Sequence, residues 1–291
     1  MASKISFTII VVMLLCGSLF AQQDYLTFPA PQYMLPLYDN YTKNYLNAEA
    51  MGRGFTSAAI RGKVENAVNN PATLVKDKSF LYMELVIKPP IREFNEEQEQ
   101  MYTSPVPFGL FGWSGTLFKD YRFAVSYNVP KSIVYDNFTI ETMQGNDYVT
   151  RYPSYNLHQF TTTIAGNWGN LCLGLNLHQQ LHQLEDVTVF YAFDRIDKIL
   201  YASRVQPGIL LGLAQVDVGM SLTLETPISA DLKYVQYDTV LPMELSTGLS
   251  YRWGNNVFSA DFDWEQCSSM DSKFNDKTTF KAGFEKRIRN T

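Results

Sequence analysis

The sequence holds 291 residues, with 24 Lys and Arg against 29 Asp and Glu and 46% of positions hydrophobic. That balance excludes a disordered polyelectrolyte, and the scattered basic residues and net charge of −5 exclude a nucleic-acid reader with a basic face. Past residue 20 no apolar run reaches the roughly 18 residues that a spanning helix needs, so a helical membrane protein is excluded too.

Residues 1–21 read as a secretory signal peptide. Lys4 opens it, Ile5 to Leu15 form its apolar core, and Gly17 to Ala21 give a small-residue exit. The cysteines beyond it are Cys172 and Cys267, too few for a disulfide framework and expected to be unpaired barrel residues. Residues 22–77 form an extension and a hatch. Pro29, Pro31 and Pro36 with Tyr33, Tyr38, Tyr41 and Tyr45 make an extended lead, and Ala48 to Ala72 is rich in small residues without strand alternation.

From residue 78 to 291 the signal has period two, the mark of strands. Val216, Val218, Met220, Leu222 and Leu224 face one way, while Asp217, Gly219, Ser221, Thr223 and Glu225 face the other. Leu171, Leu173, Leu175 and Leu177 stand likewise against Cys172, Gly174, Asn176 and His178, and Phe258, Phe262 and Trp264 against Ser259, Asp261, Asp263 and Glu265. Short connections are expected at 168–170, 214–215 and 254–256, and long polar stretches at 89–105, 131–156 and 185–204. Strands of about ten residues, tight turns on one side, long polar loops on the other and aromatic strand ends are the signature of an all-β antiparallel transmembrane barrel; a soluble barrel or sandwich shows the same alternation with its apolar face inward, and the charged polar face and aromatic ends favour the membrane barrel. Lacking a spanning helix, only a closed barrel satisfies every backbone group in lipid. The acidic row Asp261, Asp263 and Glu265 is expected to be solvated inside the lumen. About ten strands fit into residues 78–291 at roughly twenty residues per strand and connection.

Ala50-Met51-Gly52-Arg53-Gly54-Phe55-Thr56-Ser57-Ala58, followed by Glu65-Asn66-Ala67-Val68-Asn69-Asn70-Pro71-Ala72, resembles the amino-terminal hatch of the FadL family of long-chain fatty acid and hydrocarbon transporters. The likeness extends more thinly through Arg204 to Leu213 and Thr226 to Lys233. It implies a fourteen-stranded barrel plugged by its hatch, located in the bacterial outer membrane, that passes hydrophobic small molecules without energy input. The implied hatch motif is Gly52, Gly54, Phe55, Asn70, Pro71 and Ala72. The implied partners are membrane lipid, a hydrophobic ligand and the barrel assembly machinery. Ten strands against fourteen, and a last segment Lys286 to Thr291 without a terminal aromatic, make a truncated reading of a longer protein the expectation. The third strand, from Tyr121 through Ser126 to Pro130, corresponds to the family's lateral-opening strand; it contains no glycine, and Pro130 alone interrupts its pairing. The expected mechanism is capture in an apolar, polar-rimmed pocket between hatch and wall, with Pro71 fixing a bend, Asn70 bonding the plug backbone and Ala72 packing on the wall. A barrel of the same family acting as a secretion or surface-attachment shuttle is the alternative.

Competing chemistry is thin. His178 and His182 share the lumen face of one strand, but residues four apart on a strand lie about 13 Å apart, too far to ligate one ion. No catalytic residue, metal site or cofactor is expected. Gly52 and Gly54 lack the preceding strand and the following Lys-Ser or Lys-Thr of a phosphate loop.

Overall fold

The computed structural model describes residues 48–62, 64–74, 79–85, 92–94, 100–102, 108–141, 148–190, 192–232, 235–270 and 274–286. The expected signal peptide and proline-tyrosine lead lie outside the described residues.

The barrel wall is a ladder of ten antiparallel strands. In chain order the strands are β1 (Phe80–Leu85), β2 (Arg92–Phe94), β3 (Gln100–Tyr102), β4 (Phe108–Phe118), β5 (Tyr121–Glu141), β6 (Tyr148–Trp168) and β7 (Leu171–Phe190). They continue with β8 (Ala192–Leu213), β9 (Val216–Thr223), β10 (Thr226–Leu232), β11 (Val235–Leu241), β12 (Glu244–Trp253), β13 (Asn256–Glu265) and β14 (Lys277–Lys286). The wall runs β1-β4-β5-β6-β7-β8-β9-β12-β13-β14, with β2 and β3 pairing beside β5 and β10-β11 forming a separate hairpin inserted between β9 and β12. The expected first strand, Ser79 to Lys88, is described as Phe80–Leu85.

Two-residue turns at 119–120, 169–170, 214–215 and 254–255 join alternate strand pairs, so they crowd one rim. Backbone bonds tie neighbouring turns there, from Asn167 N to Asp120 O, Gly212 N to Asn170 O and Arg252 N to Gln215 O. The three connections expected at 168–170, 214–215 and 254–256 are among them. Above that rim the outward face is apolar, with Phe111, Val125, Ile164, Leu175, Leu211, Met220, Leu249 and Phe284 all exposed. Trp168, Trp253, Phe118 and Tyr121 ring the turns, and Tyr121 meets Trp168 edge to face at 5.7 Å.

The strands are longer than their alternation. The stretches 131–156 and 185–204 do not separate strands of about ten residues as polar loops; β5 through β8 run through most of them at 20 to 22 residues each. On β7 and β8 the outward row of Leu173, Leu175, Leu177, Leu211 and Leu213 near the turns is interrupted by exposed, mutually bonded Gln179 and Ser203, with Tyr201 and Ile199 exposed farther along β8. Roughly ten residues of a tilted strand cross a bilayer. Beyond that height ladder bonds persist, while neither face must be apolar, so the period-two signature fades from the sequence although the strand continues.

Inside sits the hatch, built of α1 (Ala48–Gly52), α2 (Val64–Ala67) and a 3-10 turn, Pro71–Thr73. Helices of five and four residues do not stand alone. They are held by burial: Val64, Ala67 and Leu74 pack on Ala124 and Ala165 of the wall, and Ala59 and Ala72 on Cys172 and Leu210.

Candidate functional site: the hatch seat and the cavity beside it

The hatch is fastened by the polar rows of the wall. Asp261 Oδ2 accepts from the backbone N–H groups of Ser57 (2.6 Å) and Ala58 (3.0 Å). This carboxylate, 4% exposed, is no solvated lumen residue, in contrast to the expectation for the acidic row; it supplies the acceptor that two buried donors require. Its neighbours in that row are likewise engaged, Asp263 with Lys281 and Ser246, and Glu265 with Lys277 at 3.8 Å. Asp217 bridges Arg61 of the hatch and Arg252 of the wall, 2.9 Å from each. Asn176 Nδ2 donates to Ala67 O at 2.7 Å, and Gln206 Nε2 and Ser221 Oγ both donate to Asn69 O, at 2.9 and 2.8 Å. Thr56 and Ser259 share a hydroxyl bond of 2.6 Å.

The Asn-Pro-Ala triplet works in two directions. Asn70 Oδ1 accepts from Ala72 N at 3.1 Å and caps the 3-10 turn, with Pro71 at its first position. The same side chain's Nδ2 donates to Ala58 O at 2.6 Å and to Ile209 O of β8 at 3.3 Å, joining both arms of the hatch to the wall. Close seating depends on wall glycines. A Cβ at Gly174 would stand 2.4 Å from Pro71 C, one at Gly208 2.2 Å from Asn70 Oδ1, and one at Gly219 1.9 Å from Ala58 O.

The glycine-rich opening divides. Gly54 (φ +66°) and Phe55 (φ 65°) are consecutive left-handed residues that turn the chain out of α1, closed by Phe55 N to Ala50 O at 2.6 Å. A Cβ at Gly54 would also lie 2.1 Å from Ala282 O, whereas one at Gly52 meets nothing within 4 Å, so of the two motif glycines only Gly54 is sterically required. The proposed lateral-opening residues lie on β5, third in the ladder. Tyr121 faces outward at the turn rim, Ser126 points inward and buried, and Pro130 sits at a bulge where register on β6 slips between Asn128 and Lys131. These three share a strand.

Between hatch and wall lies a cavity of about 150 Å³, lined among others by Asn69, Asn128, Pro130, Lys131, Gln159, Gln180, Gln206, Arg204, His178 and His182. It is not the apolar pocket expected from the sequence; the wall lines it mostly with polar side chains, with Leu157, Leu241, Pro242 and Met270 among them, and the hatch contributes Val68 and Asn69. The two histidines bond separately, His178 Nδ1 with Thr161 Oγ1 and His182 Nδ1 with Tyr155 OH, both at 2.8 Å. Among the described residues no group of three His, Cys, Asp or Glu side chains is placed to hold an ion. Arg204 donates to Glu244 at 2.6 Å, to Leu224 O at 3.5 Å and to Pro242 O, so one guanidinium clamps both stems of the β10-β11 hairpin. Asp217 and Asn176 carry no sequence signal beyond a place in an inward polar row, Asp261 stood out only as part of the acidic row, and Arg204 and Gln206 only within the segment Arg204 to Leu213 that carries the thinner likeness.

Cys172 and Cys267 are both buried and neither forms a disulfide among the described residues; Cys267 lies in the 3-10 turn Cys267–Ser269 rather than in a strand. Burial, and next Glu265, push its thiol up to about 12. In the folded protein Cys267 is therefore expected to resist iodoacetamide at pH 8.5, where a free thiol is about half ionised, and to react on unfolding; mass spectrometry of the peptide reads both states.

These features define a class: an antiparallel barrel, apolar outside, closed by an amino-terminal hatch hydrogen-bonded to its polar inner rows. No family model matches the sequence, and no curated protein matches it. Among solved structures the chain is similar to the toluene transporter TbuX of Ralstonia pickettii, at TM-score 0.61 and 12% identity, over 86% of this chain and 84% of that one. It is also similar to a deletion mutant of the monoaromatic hydrocarbon channel TodX (TM-score 0.59, 13% identity, 85% and 80%). A Pseudomonas aeruginosa FadL homologue matches at TM-score 0.58 and 10% identity, over 86% and 79%. The fold is that of the FadL-type outer-membrane transporters.

Proposed function

We propose that this chain is an outer-membrane channel for passive uptake of hydrophobic small molecules, closed at rest by its hatch. The observation that carries this reading is the sorting of side chains across one wall: Leu173, Leu175 and Leu177 exposed outward on β7, Cys172, Asn176 and His178 buried inward against hatch and cavity. A wall so sorted suits lipid on one side and a seated plug on the other. Transport of hydrocarbons by proteins of the same fold supports the substrate class, and no catalytic role is assigned.

Uptake requires the hatch to yield, and Asn70 is where its two arms and β8 converge. The exit is lateral, beside the Pro130 bulge: Asn128, Pro130 and Lys131 line the cavity where ladder bonding between β5 and β6 is interrupted. Asn70→Ala is expected to leave the barrel folded, judged by heat-modifiable migration on gels, and to change entry of a fluorescent long-chain compound into proteoliposomes about tenfold, the scale of one or two buried hydrogen bonds. Unchanged entry would contradict the gating role of Asn70. Co-purification of a protein cargo in place of lipid would favour the shuttle alternative.

A further inference from the structure

The inward row of β8 serves as a ruler along the barrel. From the turn at 214–215 upward, Gly212 meets Arg61, Leu210 packs with Ala59 and Ala72, Gly208 meets Asn70, and Gln206 donates to Asn69 O. All of these partners belong to the hatch. The next inward residue is Arg204, and its bonds go elsewhere: to Leu224 O at 3.5 Å, to Pro242 O, and to Glu244 at 2.6 Å. These are the two stems of the β10-β11 hairpin and the first residue of β12. Between the two sets of contacts lies the cavity of about 150 Å³, touched by Asn69 of the hatch on one side and by Leu241, Pro242 and Met270 on the other. It is bounded by the hatch toward the short turns and by the foot of the hairpin away from them.

The hairpin can be lifted without opening the wall. It forms a two-stranded sheet of its own, joined to the barrel by no ladder among the described residues. The strands that flank it in sequence, β9 and β12, pair directly with each other up to Thr223 and Glu244, so moving it breaks no wall pairing. Two strands alone are marginal, and the hairpin's position therefore depends on what it leans against. Ile228 and Leu241 are buried, and Thr239, opposite Ile228 on the partner strand, donates to Met270 O at 3.2 Å. That face rests on the turn after β13. The stems are pinned by the buried guanidinium of Arg204 and by one main-chain bond, Leu224 N to Val205 O at 2.9 Å.

The geometry points to the β10-β11 hairpin as a second gate, on the side of the cavity opposite the hatch and latched by Arg204, so that a solute is enclosed between two closures on its way through. Short turns face the periplasm in barrels of this kind, which puts the hairpin at the exterior end. This deepens the uptake reading and rests on it for the solute's passage, though not for the hairpin's movement.

The test uses the full chain with Cys172 and Cys267 replaced by Ala and with Leu157→Cys as a reporter thiol on the cavity lining. A cationic thiosulfonate added outside intact cells is expected to label the reporter at least about tenfold faster once Arg204→Met removes the latch, and several-fold faster in Glu244→Ala, where one latch bond is lost. Charge alone would move the two variants in opposite directions, since one removes a positive group from the cavity and the other a negative one. Equal labelling in all chains, or opposite changes, overturns the second gate. A bridge keeps the latch intact: Thr239→Cys and Met270→Cys, joined by a short reducible cross-linker in the chain without the reporter, should stop entry of a fluorescent long-chain compound into proteoliposomes, and reduction should restore it. Entry that continues with the hairpin bridged also overturns the gate. Faster labelling in the latch variants without any entry, even after reduction, sinks the uptake reading and leaves the gate standing.

Discussion

Gly219→Val is expected to unseat the hatch while leaving the wall intact. The atom nearest a Cβ at this position is Ala58 O, at 1.9 Å, with Ala58 C at 2.7 Å and Ala59 Cα at 2.9 Å, all main chain and none able to rotate away. β9 is paired on both edges, to β8 and to β12, so the strand cannot retreat without breaking two ladders. The hatch is what moves. Its displacement breaks the bonds of Ser57 and Ala58 to Asp261 and of Asn70 to Ala58 O together. Overpacking alone costs about 1–3 kcal/mol, and the lost buried bonds raise it further. Trypsin should then cut after Arg53 and Arg61, which are shielded in the seated hatch, and proteoliposomes should leak small ions. Gly52→Ala, at a position with nothing within 4 Å, should do neither.

Asp261→Ala should loosen the same arm by a different route. It strips the acceptor from two buried N–H groups at the cost of about 1–3 kcal/mol each and adds no bulk. Asp261→Asn keeps one acceptor oxygen and loses the charge that strengthens both bonds, so it should fall between wild type and Asp261→Ala. Hydrogen exchange at the Ser57 and Ala58 amides reads the effect directly, with protection lost in the order wild type, Asp261→Asn, Asp261→Ala. Equal protection in all three would show that the carboxylate does not hold the hatch.

Much of this was legible in the sequence because a strand with one apolar face follows a strict rule. Val218 and Met220 against Asp217 and Ser221, or Leu173 and Leu175 against Cys172 and Asn176, are sorted by period two wherever one face must be apolar, and those faces are the exposed and buried ones found. The turns at 169–170, 214–215 and 254–255 were legible for the same reason, lying where the sorted rows stop. What escaped was strand length beyond the apolar band, since β5 to β8 continue where no face is forced to be apolar. The anchoring of the hatch escaped as well. Asp261 and Ser57 are 204 positions apart, and nothing local distinguishes a carboxylate that binds a plug from one that faces water. The apolar pocket was an expectation carried by resemblance; the inward rows, read literally as Asn128, Gln159, Gln180 and Gln206, already spelled a polar lining.

An uptake channel requires the apolar rows of the wall to face outward. Nitroxide labels placed singly at Leu175, Met220, Phe284 and Ser259, with Cys172 and Cys267 replaced, and read in liposomes by collision with oxygen and with a water-soluble nickel chelate, address this most directly. The first three labels should meet oxygen freely and nickel hardly at all, and the label at Ser259, beneath the hatch, should meet neither. Labels at Leu175, Met220 and Phe284 shielded from oxygen, on protein that stays monomeric and dissolved with no detergent, would mean that those rows line a dry interior and that the wall faces the opposite way.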